Sequence, residues 1–295
     1  MSLPDRASFP PRRIFDWPCV ERSLRLGERT LIMGILNVTP DSFSDGGRYE
    51  QRASAVTRAL QMVEDGVDII DVGGESTRPG AQAVEASEEL HRVVPVIKEL
   101  CQQVDVPISI DTTKTEVAAA AIEAGACIIN DVSAGGEPGM ADLAAKTGAG
   151  FVLMHMQGTP RTMQVEPVYE AVTREVVAFL SARMTAVMEH DVDQSRICVD
   201  PGIGFGKTLE HNLELLACLP ELQALGVPLL VGLSRKGMLG EITGRAVEDR
   251  LSASLAGLVY AITRGAHILR VHDVKESCDA ARVADILTSV EHHCE

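Results

Sequence analysis

The pattern that most constrains this chain is an alternation, repeated eight times, of a short β-branched run with a longer stretch of helical periodicity. The runs are TLIMGILN (30–37), VDIIDVGG (67–74), PISIDT (107–112), ACIINDVS (126–133), GFVLMHM (150–156), ICVDPG (197–202), PLLVGLS (228–234) and HILRVHD (267–273). Between them, Leu90, Val93, Val94 and Ile97 recur at i, i+3, i+4 and i+7, and Val172, Val176, Phe179, Leu180, Met184 and Val187 keep one apolar stripe. A helix between two strands returns the chain to the same end of the sheet, so the strands pair in parallel. Eight such units in about 250 residues make a (β/α)8 barrel, the TIM barrel of α/β proteins. The rival, an open doubly wound sheet, normally has fewer strands.

Composition agrees with strands buried on both faces. Hydrophobic residues are 45% of the chain and aromatics only 3%, so the core must be packed with Val, Ile, Leu and Ala, as parallel sheets under helices usually are. No stretch has the composition of an interdomain linker, which gives a single domain. Residues 1–29, with Pro10 and Pro11, are expected to form an arm or a hairpin across the barrel floor, residues 30–290 the barrel, and residues 291–295 a flexible tail. Thr113 and Glu116 read as a capping box at the start of an Ala-rich helix. Pro95 is expected to kink the helix that contains it.

The net charge of −15, from 27 Lys+Arg against 42 Asp+Glu, argues against nucleic acid or an anionic membrane as a partner. Seven Cys without a C-x-x-C pair, behind an N-terminal stretch that lacks the apolar core of a secretory signal, suggest reduced thiols and a cytoplasmic location. Any anionic ligand must be held by a local cluster of cations.

Such a cluster is suggested at the C-terminal ends of the strands. In order they carry Asn37, Asp71, Asp111, Asn130, His155, Asp200, Ser234 with Arg235 and Lys236, and Arg270 with His272. In a barrel these ends converge on the face where active sites are built. Any one of these residues could equally cap a helix or shape a turn; a polar group at every strand end is a ring around one mouth. Asp111 precedes Thr112 and Thr113, which can do the capping, so its carboxylate is expected to be free. Asp111, Asn130 and Asp200 suit the N–H edges of a flat heterocycle. Thr77, Arg78, Arg270 and His272 suit phosphate, and Lys236 could lie between the two groups. Arg270 and His272, two apart on a strand, point to one face as an anion clamp would. The ligand class is a nitrogen heterocycle carrying phosphate. GIGFGKT (202–208) looks like a phosphate loop, but Pro201 stands where that motif requires Gly. His155, in VLMHM, reads as a packed residue beside the site.

The segments LIMGILNVTPDSFSDGG, GVDIIDVGGESTRPG, SIDT, INDVS, DPGIGFGK, GLSRKG and LRVHD, in this order, resemble the dihydropteroate synthase family of pterin-binding barrels, from Arg29 to the C-terminal helix. The resemblance implies that a 6-hydroxymethyl-dihydropterin diphosphate is joined to p-aminobenzoate by an SN1-like route, with release of pyrophosphate. It assigns Asp111, Asn130, Asp200 and Lys236 to the pterin ring, and Thr77, Arg78, Arg270 and His272 to the diphosphate. Asn37 is assigned to a Mg²⁺ ion on that diphosphate. Asp71 stands at the reacting end, so Asp71, Asp111, Lys236 and Arg270 carry the chemistry. Ser234 is assigned to the aminobenzoate carboxylate, with help from the dipole of a helix behind it, and Pro79 and Phe205 to the walls of that pocket. It also implies a homodimer packed through the later helices. Two loops, one with Thr39, Pro40, Asp41, Ser42 and Phe43 and one from Ser76 to Gly80, are implied to close over the aminobenzoate. Phe43 is then either a core anchor or the apolar underside of a lid. Two other readings are a methyltetrahydrofolate-corrinoid methyltransferase, which has no use for STRPG and RVH, and a non-catalytic pterin-binding paralogue, which need not keep Arg78, Lys236 and Arg270.

Overall fold

The eight β-branched runs pair side by side and in parallel, as the alternation requires. The computed structural model describes residues 12–39, 48–76, 80 and 83–291. Two strands precede the alternation, β1 (Phe15–Cys19) and β2 (Arg22–Leu26). The barrel strands are β3 (Leu31–Asn37), β4 (Ile69–Gly73), β5 (Ile108–Asp111), β6 (Ile128–Asp131), β7 (Gly150–Met154), β8 (Ile197–Asp200), β9 (Leu230–Gly232) and β10 (Ile268–Val271). They are ordered β8, β7, β6, β5, β4, β3, β10, β9. A parallel bridge between Val199 and Leu229 joins the two ends, so the sheet closes into a (β/α)8 barrel. β9 is shorter than the run 228–234 suggests because Pro228 has no N–H to give to the ladder; its carbonyl still accepts from the Val199 amide at 3.0 Å.

The helices surround this barrel: α1 (Arg48–Glu64), α2 (Ala86–Leu100), α3 (Thr115–Glu123), α4 (Met140–Thr147), α5 (Val172–Met188), α6 (Leu209–Ala217), α7 (Gly237–Thr243), α8 (Leu251–Thr263) and α9 (Val274–Glu291). The apolar stripes are where periodicity puts them, with Val93 and Ile97 of α2 and Val172, Val176, Leu180, Met184 and Val187 of α5 buried. Pro95 lies inside α2, which continues to Leu100. The capping box at Thr113 and Glu116 does not form. The chain stays extended through Lys114 (φ −100°, ψ 121°), which makes Lys114 the N-cap and leaves Thr113 outside the helix. The first helical amide, that of Thr115, donates instead to Glu137 Oε1 at 3.2 Å.

Inside the barrel, two residues further along several of the strands, hydrocarbon gives way to polar and charged side chains. The lower layer holds Leu31, Met33, Ile69, Ile128, Val152, Cys198, Leu230 and Ile268. Side chains two residues on share the same strand face, and there stand Asp71, Asn130, Met154, Asp200, Gly232 and Arg270. Strand geometry thus gathers Asp71, Asn130, Asp200 and Arg270 into one layer above the apolar one.

The β1–β2 hairpin stoppers the lower end. Trp17, Cys19 and Leu26, all fully buried, pack on the apolar layer, and Trp17 Nε1 donates to the Arg196 carbonyl at 2.7 Å. A Cβ on Gly150, the first residue of β7, would come within 2.6 Å of Cys19 Sγ and 3.0 Å of the Trp17 ring, so only glycine lets the hairpin sit this close. Trp17→Ala is expected to cost about 3–5 kcal/mol of unfolding free energy. A denaturant titration checks it, and a loss under about 1 kcal/mol would mean that the hairpin is not part of the core.

Candidate active site

The strand ends bring most of the expected ring together. Asp71 on β4 is fully buried, and its Oδ2 accepts from Asn130 Nδ2 at 3.0 Å and from Arg270 Nε at 2.6 Å. Arg270 Nη2 donates to Asp111 Oδ2 at 2.5 Å. Register explains the proximity: Gly73 of β4 pairs with Asp111, and Asp111 with Asn130, so the three acceptors stand on adjacent strands. Arg270 reaches them from β10 across the barrel mouth.

Arg270 therefore does not present an open fork. Two of its nitrogens are committed to carboxylates, while His272 turns to Ser234. The His272 amide and Nδ1 lie 3.2 and 3.1 Å from Ser234 Oγ. The physical reason is burial: two carboxylates in the polar layer need a cation more than the solvent does. Nor is Asp111 fully free, although its Oδ1 is, like Asp71 Oδ1, a buried oxygen without a hydrogen-bond partner among the described residues. Two such acceptors in one cavity are unusual in a folded protein and suit a ligand that brings N–H donors.

The electrostatics follow from the same burial. Desolvation pushes the Asp111 carboxyl up to about 7, against the pull of Arg270 and with help from the Asp71 charge. Asp200, which ends β8 and accepts from the Gly202 amide at 2.7 Å, is also pushed up by burial, with Lys236 opposing. Burial lowers the Lys236 ammonium to about 8, Asp200 holding it up and Arg270 pressing it further down. Arg270, flanked by Asp71 and Asp111, is held firmly charged. The mouth thus combines three carboxylates with two cations, one of which titrates near neutrality.

Lys236 lies on the far side of the cavity. Its Nζ donates to the Ile203 carbonyl and sits 4.4 Å from the centre of the Phe205 ring. Arg235, its neighbour, leaves the ring: it adopts a left-handed φ of 58° and pairs with Asp273. Ser234 is buried, and behind it α7 is only seven residues long and begins after Lys236, so the helix dipole available to Ser234 is small.

Lys207 is not a phosphate ligand. It is buried, and its Nζ contacts the Gly202 and Phe205 carbonyls and His155 Nδ1. Thr208 caps α6 in a reciprocal capping box with His211. His155 is a packed residue as expected, its ring edge-on to Phe179 at 4.8 Å, and burial beside Lys207 drives it down to about 3, so it is neutral.

Thr77, Arg78 and Pro79, and Pro40, Asp41, Ser42 and Phe43, lie outside the described residues. The base of the Ser76 to Gly80 segment is described, and sequence reasoning missed what grips it. Glu75 Oε1 accepts from the Val84 amide at 3.3 Å, while Lys114 bridges Glu75 and the fully buried Glu89. Glu89 falls four residues before Val93 on the apolar stripe of α2, and a carboxylate on that stripe was the available signal. The Gly80 amide donates to the Pro160 carbonyl at 3.3 Å.

With this geometry in view, the chain matches the family described as pterin binding enzyme over residues 33–272. A dihydropteroate synthase of Escherichia coli (strain K12) is 48% identical over 262 residues, covering 89% of this chain and 93% of the relative. A Xanthomonas albilineans dihydropteroate synthase solved with 4-aminobenzoic acid superposes with a TM-score of 0.87 at 47% identity, covering 94% of this chain and 99% of that one. A structure of the enzyme from the same organism in complex with 7,8-dihydropteroate gives 0.83 at 44% identity, with the same coverage.

Proposed function

Because the chain belongs to the family of pterin-binding enzymes, we infer that its activity is that of a dihydropteroate synthase. It joins 6-hydroxymethyl-7,8-dihydropterin diphosphate to p-aminobenzoate and releases pyrophosphate and 7,8-dihydropteroate. The observation that carries this reading is the pair of buried carboxylate oxygens without donors at Asp71 and Asp111, facing the cations Arg270 and Lys236.

The pterin presents a guanidine-like N–H edge and ring carbonyl. Asp111, Asp200 and Asn130 accept and donate along that edge, and Lys236 donates from the opposite side. Thr77, Arg78, Arg270 and His272 hold the diphosphate, for which Arg270 keeps its third nitrogen, Nη1. As the C–O bond to the diphosphate breaks, the bonding pair leaves with pyrophosphate, and positive charge develops on the pterin methylene. Asp71 and Asp111 stabilise that charge. The aniline nitrogen of p-aminobenzoate, neutral near pH 7, then adds through its lone pair and loses its proton to water, so no strong base is required. Ser234 takes the aminobenzoate carboxylate, with Phe205 and Pro79 as walls. The segments of Thr39 to Phe43 and of Ser76 to Gly80 exclude water that would otherwise trap the cation.

The residues present fit Mg²⁺. Asn37 ends β3 at the mouth, and its Oδ1 lies on the same side of Gly73 as the Asp111 carboxylate, a Cβ on Gly73 being 3.8 Å from the one and 3.7 Å from Asp111 Oδ2, so an amide oxygen stands near the strand-end carboxylates. An oxygen-only set with few protein ligands suits a hard cation that keeps water and phosphate oxygens. Asn37 would hold it, and what Mg²⁺ supplies when bound is neutralisation of the charge on the leaving diphosphate.

The same proposal includes the arm of 1–29, the barrel of 30–290 and the tail of 291–295, a cytoplasmic location, and a homodimer through the later helices. The dimer is supported by exposed Val283, Ile286 and Leu287 on α9 and Tyr260 on α8.

The test is to mix the protein with Mg²⁺, the pterin diphosphate and p-aminobenzoate and follow pyrophosphate. No release, with pterin binding intact, would favour a non-catalytic pterin binder. The titrations add a pH signature. Asp111 must be ionised to accept from the pterin, so kcat/KM for the pterin diphosphate rises with pH through about 7. Lys236 must be an ammonium to donate, so kcat/KM falls as pH rises through about 8. Lys236→Arg should move the alkaline limb out of range. A flat profile across both values contradicts the assignment.

A further inference from the structure

The run GIGFGK has the look of a phosphate loop and the opposite polarity. Gly202, Gly204 and Gly206, at alternate positions, all take left-handed φ values of 65°, 81° and 60°. A Cβ on Gly202 would lie 1.8 Å from the His155 carbonyl oxygen, and one on Gly206 2.6 Å from that of Gln157. In phosphate loops, successive amides converge on an anion. Here every carbonyl from Gly202 to Lys207 accepts from a side chain. Lys207 Nζ takes those of Gly202 and Phe205 at 2.9 and 3.0 Å, and Lys236 takes that of Ile203. Gln164 takes Gly204 at 2.9 Å, Tyr169 takes Gly206 at 2.7 Å, and Asn212 takes Lys207 at 3.3 Å.

Lys207 is the centre of this arrangement. It is 3% exposed, and among the described residues no carboxylate lies within ion-pair distance of it, the charge of Asp200 acting only from further off. Its third N–H points to His155 Nδ1 at 2.9 Å, where a neutral imidazole with its proton on Nε2 offers a lone pair. Burial and the charge of Lys236 bring the Lys207 ammonium down to about 7. An ammonium kept in so dry a place is costly, and what it holds is the mount for the second substrate's pocket. Phe205 stands between two glycines, and its carbonyl is anchored by Lys207. Asp200 accepts from the amide of Gly202, whose carbonyl Lys207 also takes, but it is held in the β8 ladder as well, so it depends on the lysine less than Phe205 does.

We propose that Lys207 is a positioning residue for the aminobenzoate half of the reaction: from beneath the loop it fixes the Phe205 carbonyl and so sets the wall on which the aminobenzoate ring rests. The inference rests on the reading of Phe205 as that wall. Its signature is a split between the two substrates, which a general loss of structure would not produce.

Steady-state kinetics on Lys207→Met, Tyr169→Phe and Phe205→Leu test it. Lys207→Met is expected to raise the KM for p-aminobenzoate about tenfold or more while moving that for the pterin diphosphate less than about threefold. Tyr169→Phe, a milder loosening of the same loop, should raise the aminobenzoate KM about two- to fourfold, and it decides the matter if Lys207→Met does not fold. An unchanged aminobenzoate KM in both, with Phe205→Leu raising it, overturns the role of Lys207. Equal rises in both KM values overturn it too, as a merely structural effect. If Phe205→Leu also leaves aminobenzoate binding untouched, the wall reading fails and takes the inference with it.

Discussion

Arg270→Ala should lower kcat/KM by about three orders of magnitude, the upper range for loss of one preorganised charged donor at a site of developing charge. It should also cost about 3–5 kcal/mol of stability, because it leaves charged partners buried without their cation. Asp71 and Asp111 both lose a charge-assisted bond, and both are in the layer where water is excluded. Asp111 already titrates above its ordinary range in the folded protein, so its contribution to folding worsens as pH rises from the unfolded carboxyl range towards about 7. Without Arg270 the upward push is larger, and the variant's stability should fall more steeply with pH over that window. Arg270→Lys separates the two losses: an ammonium restores charge but cannot reach two carboxylates as a planar fork, so stability should recover more than turnover. Kinetics and denaturant titrations at several pH values measure both. Turnover within about threefold of the parent would exclude any part for Arg270 in diphosphate departure.

Asp111→Asn should weaken pterin binding by about 10- to 100-fold, the range for losing a hydrogen bond to a charged group, with little change in the aminobenzoate KM. The substitution keeps size and leaves Arg270 bonded to Asp71. It should also abolish the acid limb of the pH profile near 7 while leaving the alkaline limb in place. Calorimetric titration with a pterin checks the affinity. An acid limb that survives would have to be assigned to Asp200, the other mouth carboxyl raised by burial.

Much of this site could be read from the chain because strands obey a period of two. Once the eight runs are aligned as barrel strands, Asp71, Asn130, Asp200 and Arg270 fall two residues above Ile69, Ile128, Cys198 and Ile268, which places them in the mouth without any tertiary information. What could not be read is which neighbour each polar group would choose. Arg235 and Lys236 are adjacent in sequence, yet a left-handed φ at Arg235 sends one to Asp273 and leaves the other in the cavity. Arg270 reads as a phosphate ligand in the sequence, which gives no sign that carboxylates across the barrel take two of its nitrogens. The helix cap was misplaced because Thr113 and Lys114 compete for one position, decided by backbone extension rather than by side-chain type. GIGFGKT departs from a phosphate loop at Pro201, and the structure engages its Lys207 with the loop's own carbonyls. The departure at Pro201 gave no hint that the same lysine would hold its own loop from within.

The stopper at the barrel floor has a consequence for traffic. With Trp17 filling the barrel floor, the substrates of the proposed reaction come in from the strand-end face, and the one seated deeper has to enter first. The proposed pterin ligands Asp111 and Asn130 lie on the strands themselves, while Phe205 and Ser234 stand on the rim beyond the strand ends. A rim-bound aminobenzoate that arrived early would block the way to the seat beneath it. On the proposed assignment the order of filling follows from the shape of the container, and no signal between the two pockets is needed to enforce it.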